Sequence, residues 1–200
     1  RGIAVERGAE IFDVASLSGE RIDGSQSRPV FLQQAARTAE RVAQVLDIDV
    51  PPEFWSSHAW HPPGRYQWLD TSPPTLVDAA HNPPALQALI DALKRDPRLE
   101  GKPVHAVIAW LEDRPIEKAI ARLEPEVASI QVPGLETPRA HPADQIPERY
   151  RAASVRTALE EAAVRAQRDD GVVLVAGSFV LLGEALHRLT GARKDPPVSG

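Results

Sequence analysis

The chain has 200 residues, a formal net charge of −5, 42% hydrophobic residues and no cysteine. This length allows one medium-sized domain, or one domain with a fragment of a second, and the lack of cysteine excludes disulfides and thiolate metal ligands. No basic patch, signal peptide or bilayer-length apolar run is present, so we expect a cytoplasmic protein without nucleic-acid or membrane partners. A monomer is also expected.

The first third of the chain predicts the end of one unit and a connector. Residues 1–28 alternate weakly between turn-forming glycines, which predicts two or three short strands. Residues 31–46 have the apolar spacing of an amphipathic helix. Residues 48–64 are rich in Pro and Trp and predict a connector, with a domain boundary near Pro62. Because the chain contains no Met and opens at Arg1 in strand-like sequence, we expect a piece of a longer protein.

From Tyr66 onward, short apolar runs alternate with segments of helical periodicity. This alternation predicts an α/β fold, a Rossmann-like and mostly parallel sheet with helices on both faces. The run from Gly171 to Ala176 is apolar on consecutive residues, as expected for a central strand buried on both faces. The predicted strands are at 66–70, 75–78, 103–109, 127–132 and 171–176. The predicted helices are at 83–95, 115–122, 155–168 and 179–189.

The most informative segment is TLVDAAHNPP, at residues 75–84. A predicted strand ends at Asp78, and His81 and Asn82 follow at once. Asn suits a helix N-cap and Pro83 the first helical position, so a helix N-terminus with free N–H groups is expected here. In open α/β sheets ligands bind at the carboxyl ends of strands, and helix N-termini favour anions. The ten residues by themselves favour the alternative of a structural corner with a capping asparagine and a solvated histidine.

Three further polar groups fall beside predicted strands. Arg65 follows a Pro-Gly pair, Glu112-Asp113-Arg114 follows the strand at 103–109, and Ser178 follows Gly177 after the last strand. The structural alternatives are a surface arginine and, for Asp113 and Ser178, helix caps. The other histidines show no metal-ligand spacing and are interpreted as structural or solvated. The sequence contains no nucleophile elbow, Walker A loop or dinucleotide fingerprint, so the chain has no phosphate-cradling loop of its own.

In this order and spacing, these residues resemble the carboxy-terminal region of the bifunctional folylpolyglutamate synthase/dihydrofolate synthase family, in the Mur ligase superfamily. The resemblance extends over roughly residues 30–190. Its specific part is a P-G-R run followed by D-A-A-H-N-P, where the family has D-G-A-H-N-P. The matching segments are Pro63-Gly64-Arg65, Asp78 to Pro83, Glu112-Asp113-Arg114 in place of D-K-D, Gly134 to Ala140, and Ala176-Gly177-Ser178-Phe179.

The resemblance implies an ATP-dependent ligase that adds L-glutamate to dihydropteroate or tetrahydrofolate through an acyl phosphate. It implies that Arg65 and Asp78 bind the nucleotide and that His81 and Ser178 bind glutamate. The planar guanidinium fork suits phosphate oxygens, and a carboxylate can accept hydrogen bonds from ribose hydroxyls. No catalytic residue is assigned with certainty, and no metal ligand. The further candidate site residues are Asn82, Asp113 and Arg139.

The resemblance also implies a division of labour between domains. Residues 1–62 correspond to the end of a central ATPase domain plus a linker, and residues 63–200 to a glutamate-ligase domain. ATP and Mg are implied cofactors, but the family's P-loop, modified lysine and most metal ligands belong to the central domain, so the chain alone should be inactive. Gln34 stands nearest to a nucleotide-contacting Asn of the family, Ala79 replaces a Gly, and Arg114 replaces the Lys of D-K-D.

Two alternatives stay open. The first is a stand-alone binding or interaction module that kept the fold without catalysis, which the missing P-loop and Gln34 favour. The retained Arg65, Asp78, His81 and Ser178 favour the ligase. The second alternative is a cell-wall Mur ligase domain of the same fold, although the A-H-N-P and G-S-F details favour folate.

Overall fold

The computed structural model describes residues 29–51, 54 and 62–193. The strands predicted within residues 1–28, and most of the predicted connector, lie outside these described residues. The chain divides into two compact units between Pro62 and Pro63, and each is considered by itself. The assignment of the first unit to the end of a central ATPase domain stays a prediction.

The described part of the first unit contains one long helix. Helix α1 (Val30–Val45) begins after Pro29, and Leu32 and Ala36 on one face are buried. This confirms the amphipathic helix predicted from the spacing of the apolar residues. Gln34 lies on the exposed side of α1.

The described part of the second unit is a six-stranded sheet with four α-helices. The strands are β1 (Gln67–Leu69), β2 (Thr75–Asp78), β3 (Val104–Ala109), β4 (Ser129–Pro133), β5 (Arg151–Ala152) and β6 (Val172–Gly177). The helices are α2 (Pro83–Leu93), α3 (Ile116–Leu123), α4 (Val155–Arg168) and α5 (Phe179–Thr190). Short 3₁₀ turns lie at Pro97–Leu99, Glu124–Glu126, Ala143–Gln145 and Glu148–Tyr150.

The predicted α/β fold is confirmed, with every predicted strand and helix of this unit present near its expected bounds. The two-residue strand β5 and the 3₁₀ turns were not predicted. A two-residue strand and single 3₁₀ turns produce no measurable periodicity, so the sequence pattern carries no signal for them.

The order of strands places β6 between β2 and β3, although β6 is distant from both in the sequence. The order is β1-β2-β6-β3-β4-β5, with β1 antiparallel to β2 and the other neighbours parallel. Asp78 of β2 pairs with Ala176 of β6, and Gly177 pairs with Ala109 of β3. The carboxyl ends of β2, β6 and β3 therefore reach the same edge of the sheet.

Helices cover both faces of this sheet. The connections from β2 to β3 and from β3 to β4 run in one direction across the sheet, and the return through α4 to β6 runs in the other. Since such crossovers are right-handed, α2 and α3 share one face and α4 lies on the opposite face. A buried cluster joins α4 and α5 to Val77, Val107 and Val175 of the central strands. The alternate residues Leu76 and Leu174 are equally buried, so β2 and β6 are covered on both sides.

Candidate functional site

The Pro-Gly-Arg loop is fixed against the end of β2. The Gly64 carbonyl accepts a 2.8 Å hydrogen bond from the Ala79 N–H, and the Gly64 N–H donates to Gln67 Oε1 at 2.8 Å. Gly64 has φ +70°, and a Cβ there would lie 2.8 Å from Leu182 Cδ2 of α5. Position 64 therefore favours glycine, and the loop lies close to both the end of β2 and helix α5.

Asp78 ties this loop to the strand. Its side chain is buried, at 3% exposure, and Oδ2 accepts a 2.8 Å hydrogen bond from the backbone N–H of Tyr66. Burial raises the pKa of Asp78 to about 6, opposed by the N–H groups of Tyr66 and Ala80 and by the charge of Arg65. The carboxylate therefore accepts from the backbone N–H groups of Tyr66, next to Arg65, and of Ala80, and its remaining lone pairs can accept other donors.

Arg65 lies half-buried over an aromatic ring. Its Nη1 donates to the Ala79 carbonyl at 3.4 Å, and its Cζ is 5.2 Å from the centroid of Phe179. Phe179 is 58% exposed. A guanidinium has five N–H donors, and the carbonyl engages one of them, so a cation–π contact and one hydrogen bond orient the group and leave donors for ligand oxygens.

His81 shares both contacts of Arg65. Its Nδ1 lies 2.8 Å from the same Ala79 carbonyl, and its ring centroid lies 6.1 Å from that of Phe179. Because a carbonyl only accepts, Nδ1 carries the proton. The other nitrogen, Nε2, holds a lone pair in the neutral ring and a second N–H in the imidazolium. His81 can therefore face an amine when neutral or a carboxylate when charged.

The corner after β2 lacks the free N–H groups that were expected. Asn82 is the N-cap as predicted, and its Oδ1 accepts from the Ala85 N–H at 2.9 Å. The Leu86 N–H bonds to the Asn82 carbonyl. Pro83 and Pro84 have no N–H. The expectation of backbone donors at this helix N-terminus is wrong, because two prolines and two internal bonds account for the whole first turn.

The corner after β6 keeps its donors. Gly177 has φ +126°, and a Cβ there would lie 2.2 Å from the Ala109 carbonyl oxygen. Ser178 is buried; its N–H donates to the same carbonyl at 2.8 Å, and its Oγ accepts from the Leu181 N–H at 3.2 Å. Helix geometry leaves the N–H groups of Phe179 and Val180 without an intrahelical acceptor. With the Ser178 hydroxyl hydrogen, this corner can hold an anion.

Sequence comparison decides the family. A family model described as Mur ligase, glutamate ligase domain, matches residues 64–179, a span that contains both corners. The chain belongs to this family. The resemblance to folylpolyglutamate synthase/dihydrofolate synthase is confirmed by relatives that carry those names. The dihydrofolate synthase/folylpolyglutamate synthase of Escherichia coli K12 is 34% identical over 135 residues, 66% of this chain and 31% of that protein.

Solved structures of the same enzymes share the fold of this Mur ligase domain. The bifunctional folylpolyglutamate synthase/dihydrofolate synthase of Yersinia pestis, complexed with AMPPNP and Mn ion, superposes with a TM-score of 0.74 at 28% identity. That match covers 94% of this chain and 49% of the Yersinia chain. E. coli FolC in complex with ADP gives a TM-score of 0.68 at 30% identity, covering 78% of this chain and 39% of that chain. The chain therefore spans less than half the length of these relatives.

Three aromatic residues of the glutamate ligase domain were missed as site residues. Tyr66 follows Arg65 and binds Asp78, and Phe179 contacts both Arg65 and His81. Trp110 is buried directly after β3, and its Nε1–H donates to the Ala80 carbonyl at 2.9 Å. Phe179 was visible in the G-S-F match, but only the fold shows that its ring bridges the two corners.

Asp113 and Arg139 lie together on loops beyond β3 and β4. Arg139 Nη2 lies 3.4 Å from Asp113 Oδ1, and both side chains are half-exposed or more. An isolated antiparallel bridge between Leu111 and Ala140 holds the two loops together. The alternative of Asp113 as a helix N-cap is wrong, because Pro115 occupies that position of α3. Ligand binding by this pair stays a prediction.

The described part of the chain offers neither a metal cluster nor a membrane-spanning helix. Residues 29–51, 54 and 62–193 contain no group of three His, Asp or Glu side chains that could hold a metal ion. These residues therefore offer no ligand set for the Mg ion that the resemblance implies. The location of the metal ligands in a central domain stays a prediction. No helix in the same ranges is both long and apolar enough to cross a bilayer.

Proposed function

We propose that this chain is the glutamate-ligase part of an ATP-dependent ligase that adds L-glutamate to dihydropteroate or a folate. The observation that carries the proposal is the convergence of Arg65, Asp78, His81 and Ser178 at the carboxyl ends of β2 and β6, bridged by Phe179. The names of the relatives support it, as does the structure of E. coli FolC in complex with DHPP and ADP, which is 29% identical over 78% of this chain.

The proposed reaction has two steps. A carboxylate oxygen of the pterin substrate attacks the γ-phosphorus of ATP, which forms an acyl phosphate and releases ADP. The amine of glutamate then attacks the acyl carbon, forming the amide and releasing phosphate. Arg65 would donate to the phosphate oxygens with the N–H groups that the Ala79 carbonyl leaves over. The remaining lone pairs of Asp78 would accept from the ribose of the nucleotide.

Glutamate would bind between the two corners. The Ser178 hydroxyl and the N–H groups of Phe179 and Val180 suit one of its carboxylates. His81 would contact glutamate through Nε2, since Nδ1 is committed to the Ala79 carbonyl. In its neutral form this nitrogen accepts from the amine that must lose a proton to attack, and in its charged form it pairs with a carboxylate.

The rest of the machinery would come from outside this chain. We propose that the phosphate-cradling loop and the metal ligands belong to a preceding central domain, because the sequence has no Walker A loop and the described residues have no metal cluster. A cytoplasmic location and a monomeric state are further predictions from the sequence.

A stand-alone module is the second candidate. The missing phosphate loop and the glutamine at position 34 favour a protein that kept the fold without the chemistry. A cell-wall Mur ligase is a third, since the same family description covers it, but the names of the relatives favour folate.

An activity assay on two forms of the protein separates these candidates. ATP turnover would be measured with dihydropteroate or a folate and with glutamate, using the 200-residue chain and the complete gene product. We expect a folded but inactive chain and an active complete protein with a Walker A motif upstream of Arg1. Turnover by the chain alone would contradict the division of labour. An inactive complete protein that lacks an upstream Walker A motif would support the module.

A further inference from the structure

Tyr66 adopts a backbone conformation that tyrosine rarely adopts. Its φ is +46°, in the left-handed region that glycine and asparagine favour. Such strain persists only where the surroundings over-determine it, and it concentrates at functional sites. Tyr66 directly follows Arg65, so whatever holds its backbone also fixes the direction in which Arg65 leaves the loop.

Two carboxylates hold Tyr66 from opposite ends. Its N–H donates to Asp78 at 2.8 Å, and its hydroxyl donates to Asp96 Oδ2 at 3.0 Å. Burial raises the pKa of the Tyr66 phenol, and the charge of Asp96 acts in the same direction, so the hydroxyl stays protonated and remains a donor. The residue thus links the end of β2 to the loop that follows α2.

The second anchor is itself held in place. The side chain of Asp96 is 5% exposed and accepts from Arg98 at its backbone N–H, Nε and Nη2, at 3.0, 2.9 and 2.6 Å. The Arg98 guanidinium lies 4.5 Å above the ring of Trp68 in β1. These contacts form a continuous chain from the end of β2 to the loop after α2, which we name the tyrosine clasp: Asp78, Tyr66, Asp96 and Arg98.

We propose that Tyr66 is a positioning residue for the nucleotide, which acts by holding Arg65 in the direction of the phosphates through the tyrosine clasp. The inference rests on the proposed function of Arg65. It extends that function to Asp96 and Arg98, which lie outside the two corners. A free loop would let the Arg65 guanidinium sample many directions, and the clasp removes that freedom before the ligand arrives.

The test is Tyr66→Phe in the complete protein, which deletes only the hydroxyl. We expect the KM for ATP to rise about three- to tenfold, less than the full value of a hydrogen bond to a charged group because Tyr66 acts only through Arg65, with the KM for glutamate changed less than about twofold. The matched control is Tyr150→Phe. The Tyr150 hydroxyl also donates to a carboxylate, that of Glu124, and Arg149 lies 4.6 Å over its ring. The control should change neither KM.

A double-variant cycle separates positioning from mere stability. If Tyr66 acts through Arg65, Tyr66→Phe should change the KM for ATP less than about twofold once Arg65→Ala is present. Independent effects of the two substitutions, or an unchanged KM in Tyr66→Phe alone, would overturn the proposal. If Arg65→Ala itself leaves ATP kinetics unchanged, the proposed function fails instead.

Hydrogen exchange tests the clasp without any activity. In the 200-residue chain, Tyr66→Phe should accelerate exchange of the amide at position 66 by about fivefold or more, since the loop opens more often. Tyr150→Phe should leave that amide unchanged. Equal exchange in wild type and Tyr66→Phe would show that the hydroxyl does not order the loop, and would overturn the inference whatever the ligase assay gives.

Discussion

The corner between β2 and α2 and the corner between β6 and α5 belong to neighbouring strands, yet they offer a ligand different groups. The first corner offers side chains, because the backbone donors of its helix are missing or engaged. Pro83 and Pro84 have no N–H, and the Asn82 side chain accepts the N–H of Ala85. The second presents backbone: Ser178 caps α5, and the N–H groups of the next two residues stay available.

The difference shows that a strand-to-helix corner is not by itself an anion site. A corner can bind an anion only if its first helical residues have N–H groups and the capping side chain does not already accept from them. In the proposed function, the charge of Arg65 and the ring of His81 take the place of the missing donors at the first corner. The two corners therefore predict different chemistry at neighbouring points of one sheet edge, where Phe179 of the second corner contacts Arg65 and His81 of the first.

The largest expected effect is at the glycine of the second corner. Gly177→Ala places a Cβ 2.2 Å from a backbone oxygen of β3, which cannot move without breaking the sheet. We expect the free energy of unfolding to fall by about 3 kcal/mol or more, or folding to fail. Urea unfolding of the 200-residue chain measures this.

The control for that substitution lies six residues further on. Gly183 sits in α5 with open space around its Cα, so Gly183→Ala should raise stability by about 0.5–1 kcal/mol. Equally small changes in unfolding free energy at both glycines would contradict the close packing of Gly177 against the Ala109 carbonyl.

The next effect separates the corners by substrate. Ser178→Ala and His81→Ala in the complete protein should each raise the KM for glutamate about tenfold, the size of a charge-assisted hydrogen bond, with the KM for ATP changed much less. Ser154→Ala is the matched control, because Ser154 caps α4 through the Thr157 N–H at 3.1 Å and follows the edge strand β5, three strands away from β6.

Both serine variants should lose about 1 kcal/mol of stability with their caps. Only Ser178→Ala should alter glutamate kinetics. If neither serine variant changes the KM for glutamate, Ser178 acts only as a helix cap. If ATP kinetics alone respond to Ser178→Ala or His81→Ala, the nucleotide occupies the place assigned here to glutamate.

A further effect is the pH dependence that the first corner adds to the stability of the folded chain. The pKa of Asp78 is raised from 3.8 to about 6 in the folded chain, so folding favours its protonated form. Its contribution to the free energy of unfolding is therefore most favourable below about pH 4, falls as the pH rises to about 6, and is constant above, a change on the order of 3 kcal/mol.

Asp78→Asn should remove that slope. The measurement is the difference in unfolding free energy between wild type and variant across pH 3.5–7.5, which cancels the contributions of the other carboxyl groups. A difference that does not vary with pH would mean that the carboxyl is better solvated than its 3% exposure implies.

The sequence predicted the sheet and the residues at its edge because both depend on local patterns. Consecutive apolar residues in β6 and helical spacing in α2 and α4 are strong signals, and Asn82 followed by Pro83 marks a helix start. The order of strands was not predictable from periodicity, since the insertion of β6 between β2 and β3 is a pairing between distant segments.

The fine structure of the site depends on such distant pairings as well. The Phe179 ring meets Arg65 only because α5 and the Pro-Gly-Arg loop lie at one edge, and Tyr66 meets Asp96 across thirty residues of chain. The left-handed backbone of Tyr66 has no sequence signal at all, because tyrosine does not prefer it. The loss of donors at the first corner was readable from Pro83 and Pro84, which have no N–H in any fold.

The most direct test of the account is the catalytic effect of Arg65→Ala in the complete protein, with Arg149→Ala as the control. Arg149 also lies over an aromatic ring, that of Tyr150, but directly before the edge strand β5, three strands away from β6. We predict that Arg65→Ala lowers kcat/KM for ATP about a hundredfold or more, the cost of one preorganised donor to a transferring phosphate, while Tm shifts little. Arg149→Ala should change neither quantity. Preserved activity with a lowered Tm in Arg65→Ala would show that this arginine is structural, and would contradict the assignment of this edge to the nucleotide.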